Sequence, residues 1–419
     1  MTETLPRPTF DFDHHGPEYR DGWGEIARDY HASGGPVVWS GNHDGFWLVG
    51  SFAACAAVLE DWETFTSYND LEGTGNGGRG MMIPQMPYRL ELGESDAPLH
   101  TQRRRIEVPF FTPRALREWG PVAQRNVDDA LDAVIQNGTA DLVNDIVLLT
   151  AARTTLHLLG YSVPNMDHVA DVAHRQSFTM PTSPDFARLY AEATALRGDF
   201  RKEFLSRRAD PTGDLISALA AGTVDGKPLS DQEGESMINA LVLGGFDTTT
   251  SATTHALRWL STHREEIPKV RDDAKYRKNA VEELLRYFPP TSSVARTAVR
   301  DTEVMGQKIA KGERILCWLA GANRDPQQFP DPDTIDLARA NAPEHLSFSN
   351  GNHRCLGSPL AKVEIGIMLE TILRRIPDFT FDEDKAQPYP SIGFVNGYIS
   401  APISFTPRAP LGAFQSPSE

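Results

Sequence analysis

Cys355 stands in FSNGNHRCLG (Phe348 to Gly357), among glycines, asparagines and basic residues, and an apolar helical pattern begins directly after it. Most single cysteines are small buried hydrophobes. This one precedes LGSPLAKVEIGIMLETILRRIP, where Pro359 suits a first turn and Pro377 a stop. A helix N-terminus carries partial positive charge and free N–H groups, and both stabilise a thiolate. Arg354 and His353 add positive charge, while Gly351 and Gly357 let the loop turn sharply against something flat. A thiolate so placed is a nucleophile or a metal ligand. A nucleophile needs a base, and only His353 lies close in sequence.

A second constellation lies in SDQEGESMINALVLGGFDTTTSATTHALRWLSTH. Ser230 followed by Glu233 is a capping box. Apolar positions then recur at helical spacing from Met237 to Leu260, which predicts one continuous helix from about Ser230 to His263, about 50 Å long. Its middle is poor helix sequence. Gly244 and Gly245 each cost about 1 kcal/mol relative to Ala. Asp247, Thr248 and the threonines after it are weak helix formers whose hydroxyls bond back to the backbone. Close packing explains such a stretch as well as function does. In the functional reading, Gly244 lets a small ligand approach the backbone while Asp247 and Thr248 carry protons. A third pair, Glu283 and Arg286 in NAVEELLRYFPP, shares one helix face.

The elements that must position these residues are mostly helical. VAQRNVDDALDAVIQ and MLETILRRI have helical periodicity. PVVWSGNHDGFWLVGS reads as a hairpin, and EVMGQKIAKGERILCWLAGA as another pair of short strands. The predicted class is mainly α with small β-sheets, in one domain over residues 1–419, with loose ends at about 1–15 and 407–419. The glycines of EGTGNGGRG (Glu72 to Gly80) match nucleotide fingerprints poorly, since no clear helix follows them.

Composition narrows the function classes. The chain has 419 residues, 40% hydrophobic and 23% charged, with a formal net charge of -16 that argues against nucleic-acid binding. The start lacks a secretory pattern, and no window reaches the roughly 20 apolar residues of a membrane span. The three cysteines, Cys55, Cys317 and Cys355, form no C-x-x-C pair, which argues against a disulfide framework and for a reducing, cytoplasmic setting. No other Cys or His stands at zinc-type spacing from Cys355, and a lone thiolate suits an axial ligand to haem iron.

The set resembles the cytochrome P-450 family in its soluble bacterial form. The cysteine loop resembles F-G-x-G-x-H-x-C-x-G, with Ser349 where the family has Gly; GGFDTT (Gly244 to Thr249) resembles its oxygen-binding kink. ELLR (Glu283 to Arg286) resembles its E-x-x-R pair, and DAPLHTQRR (Asp96 to Arg104) its D-x-P-x-H-x-x-x-R segment. ANRDP and DLAR add weaker support.

The resemblance implies a cytochrome P-450 fold, with haem b (iron protoporphyrin IX) between the central helix and the cysteine loop. Cys355 would be the iron ligand, with Phe348 packed near the sulfur and Gly351 and Gly357 shaping the loop. His100, Arg104, Arg296 and His353 would hold the propionates, because two carboxylates entering a protein interior need cationic donors. Gly244 would open the helix beside oxygen, and Asp247 and Thr248 would relay protons. Glu283, Arg286 and Arg339 would be structural. Met81, Met82, Ile83, Met86, Ala240, Leu243, Val294 and Phe394 would line the substrate pocket, although each could equally be plain core.

The implied activity is an O2-dependent monooxygenase that hydroxylates or epoxidises an apolar or semi-polar small molecule. Its electrons would come from a separate ferredoxin and ferredoxin reductase, docking on a basic face of Arg103, Arg105, Arg354 and Lys362. A monomer is expected. The alternatives are a peroxide-driven peroxygenase and a non-catalytic haem-binding or sensor protein.

Overall fold

Val37–Ser40 and Phe46–Val49 pair antiparallel, as the alternation around Asn42 to Gly45 predicts. The turn needs left-handed backbone, and His43, Asp44 and Gly45 all supply it. Arg314–Cys317 adds to this hairpin in parallel, Val294–Ala298 pairs antiparallel with Arg314–Cys317, and Phe65–Thr66 closes the far edge of the five-stranded sheet. The segment read as one pair of strands is therefore split. Thr302–Val304 pairs with Gln307–Ile309, while Arg314–Cys317 belongs to the large sheet. These relationships come from a computed structural model that describes residues 7–71, 80–85, 89–161, 166–180 and 183–412. The Gly-rich loop at 72–79 and Met86 lie outside the described residues.

Helices make up the rest of the core. Pro113–Val134 packs against Leu148–Leu159 and against the helix that follows Cys355, Ser358–Arg375. The apolar faces of Pro113–Val134 and Ser358–Arg375 meet Ala252, Ala256, Leu257 and Leu260 of the central helix. A second cluster joins Leu148–Leu159 to Phe186–Ala209 and to Met237, Ile238 and Val242. The stretch Leu142–Leu159 is apolar enough to cross a membrane, but 72% of it is buried inside the fold, as in an ordinary core helix.

The central helix begins where predicted. Ser230 Oγ accepts from Glu233 N–H at 3.2 Å, and Glu233 Oε2 accepts from Ser230 N–H at 2.8 Å. It is not continuous. Asp231–Gly245 ends at Phe246, whose ψ is −72°, and Asp247–Thr262 resumes after it. The apolar phase runs straight across this break, so periodicity could not reveal it. The physical causes are local. The hydroxyls of Thr248 and Thr250 donate to the carbonyls of Gly244 and Phe246 at 2.6 and 2.9 Å. Gly245 is pressed against Thr155, where a Cβ would stand 2.6 Å from Oγ1.

The chain ends are less loose than their composition suggested. Phe10 N–H donates to Trp39 O, Trp39 N–H to Pro8 O, and Ser40 Oγ to Phe12 O, and Phe12 is buried. At the other end, Arg408 N–H donates to Ile135 O, and the N–H groups of Leu411 and Gly412 donate to Asp132.

Candidate haem-thiolate site

Cys355 sits between the short turn Gly351–His353 and the helix Ser358–Arg375. Its N–H donates to Phe348 O at 2.8 Å, which closes the loop on itself. Gly351 has φ 65°, and a Cβ there would lie 2.4 Å from Leu59 O, so the loop lies flat on the end of Phe52–Glu60. Ser349 also has positive φ, at 60°, and its hydroxyl is buried without a partner. The family's Gly is thus replaced where Gly is conformationally favoured.

Position at a helix start favours an anionic Cys355, and burial opposes it. Burial is the largest influence and pushes the thiol up from its ordinary value, against the N–H groups of Gly357 and Ser358 and the charges of Arg104 and Arg354. The sulfur lies deep in the fold, yet its own surface is exposed. Both hold for a thiol that opens onto an interior space. A metal ion bound to such a thiol would favour the thiolate.

The four predicted carboxylate-binding residues come together from three elements. His100 and Arg104 lie on Leu99–Glu107, Arg296 on Val294–Ala298, and His353 in the cysteine loop. The rings of His100 and His353 are 4.2 Å apart between centroids. Arg104 Nη2 donates to Arg354 O at 2.7 Å, and Arg296 Nη1 to Ala295 O at 2.8 Å. His353 Nε2 is 3.2 Å from Ser67 Oγ and 3.9 Å from Asp96 Oδ1. His100 is 2% exposed, and burial pushes it down to about 3, helped by the charges of His353, Arg104 and Arg296. Four basic groups therefore crowd one another with Asp96 as the carboxylate among them. Such a donor set lacks negative charge, and a group bringing two carboxylates fits it.

Gly244 is exposed in mid-helix although Val242, Phe246 and Asp247 around it are buried, and a Cβ on it would meet nothing within 4 Å. This matches a helix that opens onto a ligand. Asp247 turns into a buried polar cluster that no sequence spacing foreshadows. His174 Nδ1 is 2.7 Å from Asp247 Oδ1, and Tyr389 Oη donates to Asp247 Oδ2 at 3.0 Å. Burial works against a charged His174, but the charge of Asp247 and their hydrogen bond outweigh it and raise the histidine. No spacing links 174, 247 and 389; only the packing of Met166–Phe178 over the break joins them.

Glu283 and Arg286 are both 0% exposed. Arg286 Nε and Nη2 each donate to Glu283 at 2.8 Å, and Arg339 Nε donates to the same carboxylate at 3.1 Å. Arg286 Nη1 also donates to Asn323 O, while the Asn323 side chain holds Ser347 Oγ and Leu346 N–H. Asn323 thus carries the ion cluster into the cysteine loop, a role that ANRDP did not disclose.

The proposed pocket residues divide. Met81, Met82, Ala240, Leu243 and Phe394 are half-buried, whereas Ile83 packs into the core with Phe12, Tyr19 and Trp318, and Val294 into the sheet core. The basic face also changes. Arg103 is 5% exposed and paired with Glu91 and Glu233, so it is turned inward, and Lys362 is paired with Glu282 at 2.7 Å. Arg105 and Arg354 remain exposed.

The family model described as Cytochrome P450 matches residues 189–397. The chain is 30% identical to the Steroid C26-monooxygenase of Mycolicibacterium smegmatis over 98% of this chain and 100% of that protein. It is 31% identical to the Cytochrome P450 monooxygenase PikC of Streptomyces venezuelae over 86% of this chain and 85% of that one. The structure resembles the Acinetobacter radioresistens CYP116B5 heme domain with a TM-score of 0.84 and 25% identity, covering 94% and 97% of the two chains. The chain belongs to the cytochrome P450 family. It is a monooxygenase with the P450 fold, whose cofactor is a haem iron and which acts on a small molecule with redox partners.

Proposed function

We propose that this chain holds haem b on Cys355 and hydroxylates or epoxidises an apolar or semi-polar organic molecule, using O2 and electrons from a separate ferredoxin and its reductase. The observation that carries the reading is the basic cluster of His100, Arg104, Arg296 and His353 beside a cysteine that opens inward at a helix start. Haem bound there supplies the oxygen-activating chemistry. The protein's part is positional. The N–H groups of Gly357 and Ser358 steady the sulfur, and the basic cluster takes the two carboxylates. Thr248 keeps its hydroxyl on Gly244 O at the break, and Asp247, held by His174 and Tyr389, relays protons behind it.

The half-buried Met81, Met82, Leu243 and Phe394 favour an adaptable apolar substrate. Similarity to a protein named for steroid oxidation makes steroids the first compounds to screen, by the spin shift on water displacement. Arg105 and Arg354 form what remains of the docking face, in a cytoplasmic monomer. Charge reversal at both should slow electron delivery at low salt and not at high salt. The reading is tested by the carbon monoxide difference spectrum of the reduced protein. The wild type should show the red-shifted thiolate band, and Cys355→His should lose it while still binding porphyrin. A protein that binds no porphyrin, or a variant that keeps the band, overturns it.

A further inference from the structure

Three histidines converge away from the haem-side residues, where the start of the chain lies over the turn of the Val37–Val49 hairpin. The ring centroids of His14 and His15 are 4.3 Å apart, those of His14 and His43 5.3 Å, and those of His15 and His43 5.4 Å. Asp13 Oδ1 is 2.8 Å from His43 Nε2. His14 is 1% exposed, and its Nε2 lies 2.7 Å from Ile83 O. A carbonyl can only accept, so Nε2 carries the proton and Nδ1 holds the lone pair. That Nδ1 is buried and has no hydrogen-bond partner. Asp13, His14 and His43 each offer one donor atom, and the three atoms lie within 4.8 Å of one another.

We propose that Asp13, His14 and His43 form a binding site for one divalent transition-metal ion of the zinc class. The ligands are the Asp13 carboxylate, His14 Nδ1 and His43 Nε2. Two imidazoles and a carboxylate select a borderline ion over calcium or magnesium, which prefer all-oxygen shells. With bonds of about 2.0 Å, tetrahedral ligand atoms stand roughly 3.3 Å apart. Asp13 is exposed and His43 half-buried, so both have room to turn toward an ion, while His14 is buried and held. The bond from His14 Nε2 to Ile83 O is the outer contact that fixes ring and tautomer in metal-binding histidines. The ion takes the place of the Nε2 proton in the His43–Asp13 bond, and the neutral ring carries its one proton on Nδ1 instead. Water completes the shell beside Asp13.

His15 is excluded as a ligand because both its nitrogens are engaged, with Ser391 Oγ at 2.8 Å and Ile83 O at 3.1 Å. A bound ion therefore ties the chain start to the hairpin turn and, through Ile83, to the segment carrying Met81 and Met82. It also braces Phe394, whose ring lies 4.7 Å from that of His15.

The test is independent of turnover. The haem-loaded full chain is titrated with zinc chloride in competition with a chromophoric zinc indicator. One zinc per chain is expected, with micromolar or tighter affinity, unaffected by calcium or magnesium. His43→Asn, chosen because Asn tolerates the local φ of 51°, and Asp13→Asn, at an exposed side chain, should each weaken binding at least tenfold. X-ray absorption at the zinc edge should show nitrogen and oxygen near 2.0–2.1 Å and no sulfur. Less than one zinc per chain, equal affinity in all three proteins, or a sulfur-containing shell overturns the proposal. The indicator reads zinc whether or not the haem-thiolate reading holds, so the two can fail separately.

Discussion

At the scale of single residues, His174 and Ser349 give the sharpest tests. His174 is a positioning residue that acts through Asp247. His174→Gln should lower O2-driven turnover about 100-fold, the usual size of a lost general acid–base contribution. Peroxide-driven turnover, which brings its own protons, should change little. The solvent isotope effect should rise in the O2-driven reaction alone. Equal loss in both reactions would make the histidine merely structural. Ser349 has its φ at 60° and a buried hydroxyl without a partner. Ser349→Gly should stabilise the protein by about 1 kcal/mol in denaturant unfolding, because it removes a left-handed penalty and an unsatisfied group. An unchanged or lower midpoint would show that the hydroxyl has a partner in the loaded protein. The residues legible in the sequence were those bound to a local pattern. Cys355 before its helix and Glu283 with Arg286 at one face needed no fold to be found. His174, Tyr389 and Asn323 are joined to the site only by packing, which leaves no trace in spacing.

At the scale of elements, the break in the central helix is where sequence and structure part. The capping box at Ser230 was legible because it is reciprocal and local. The break at Phe246 left no mark in the periodicity, since the apolar face keeps its phase on both sides, and only the likeness of GGFDTT to the family's kink pointed to it. The paired glycines marked the place without stating its geometry, and they turn out to differ. Gly244 faces open space, whereas Gly245 meets Thr155 of the helix Leu148–Leu159. Gly245→Ala should therefore cost about 2 kcal/mol by overpacking. Thr155→Ala should recover part of that cost in a double-mutant cycle, because it removes Oγ1 and Cγ2, the two closest atoms, and leaves Cβ at 3.3 Å. Additive effects would mean that the helices do not cross at this glycine. Gly244→Ala should leave stability unchanged or raise it by up to about 1 kcal/mol, since Ala is the better helix former. Its effect should fall on oxygen binding instead.

At the scale of the whole molecule, the elements that carry the haem-side residues also carry buried acids. Glu107 ends the helix of His100 and Arg104, and Glu364 lies in the helix after Cys355. Both are fully enclosed, and burial pushes both up, Glu107 to about 8 against the pull of Arg104. Neither oxygen of Glu107 has a hydrogen-bond partner. The sign follows from proton counting. The unfolded chain releases this proton near the ordinary carboxyl value of 4.5, while the folded chain keeps it to about 8. Between those values the folded state binds more protons, so stability falls as pH rises, by on the order of 3 kcal/mol from this group at pH 7. Below 4.5 the group contributes no difference, and above about 8 the loss is complete. Glu107→Gln removes the titration. In urea unfolding of the haem-loaded protein from pH 5 to 8, the wild type should lose stability relative to the variant at each step. Because the helix of Glu107 also carries His100 and Arg104, the reduced carbon monoxide band should decay sooner with alkali in the wild type than in the variant. Parallel stability curves for the two proteins would show that Glu107 is ionised or solvated in the native state, and that its burial beside Arg104 is not what this structure describes.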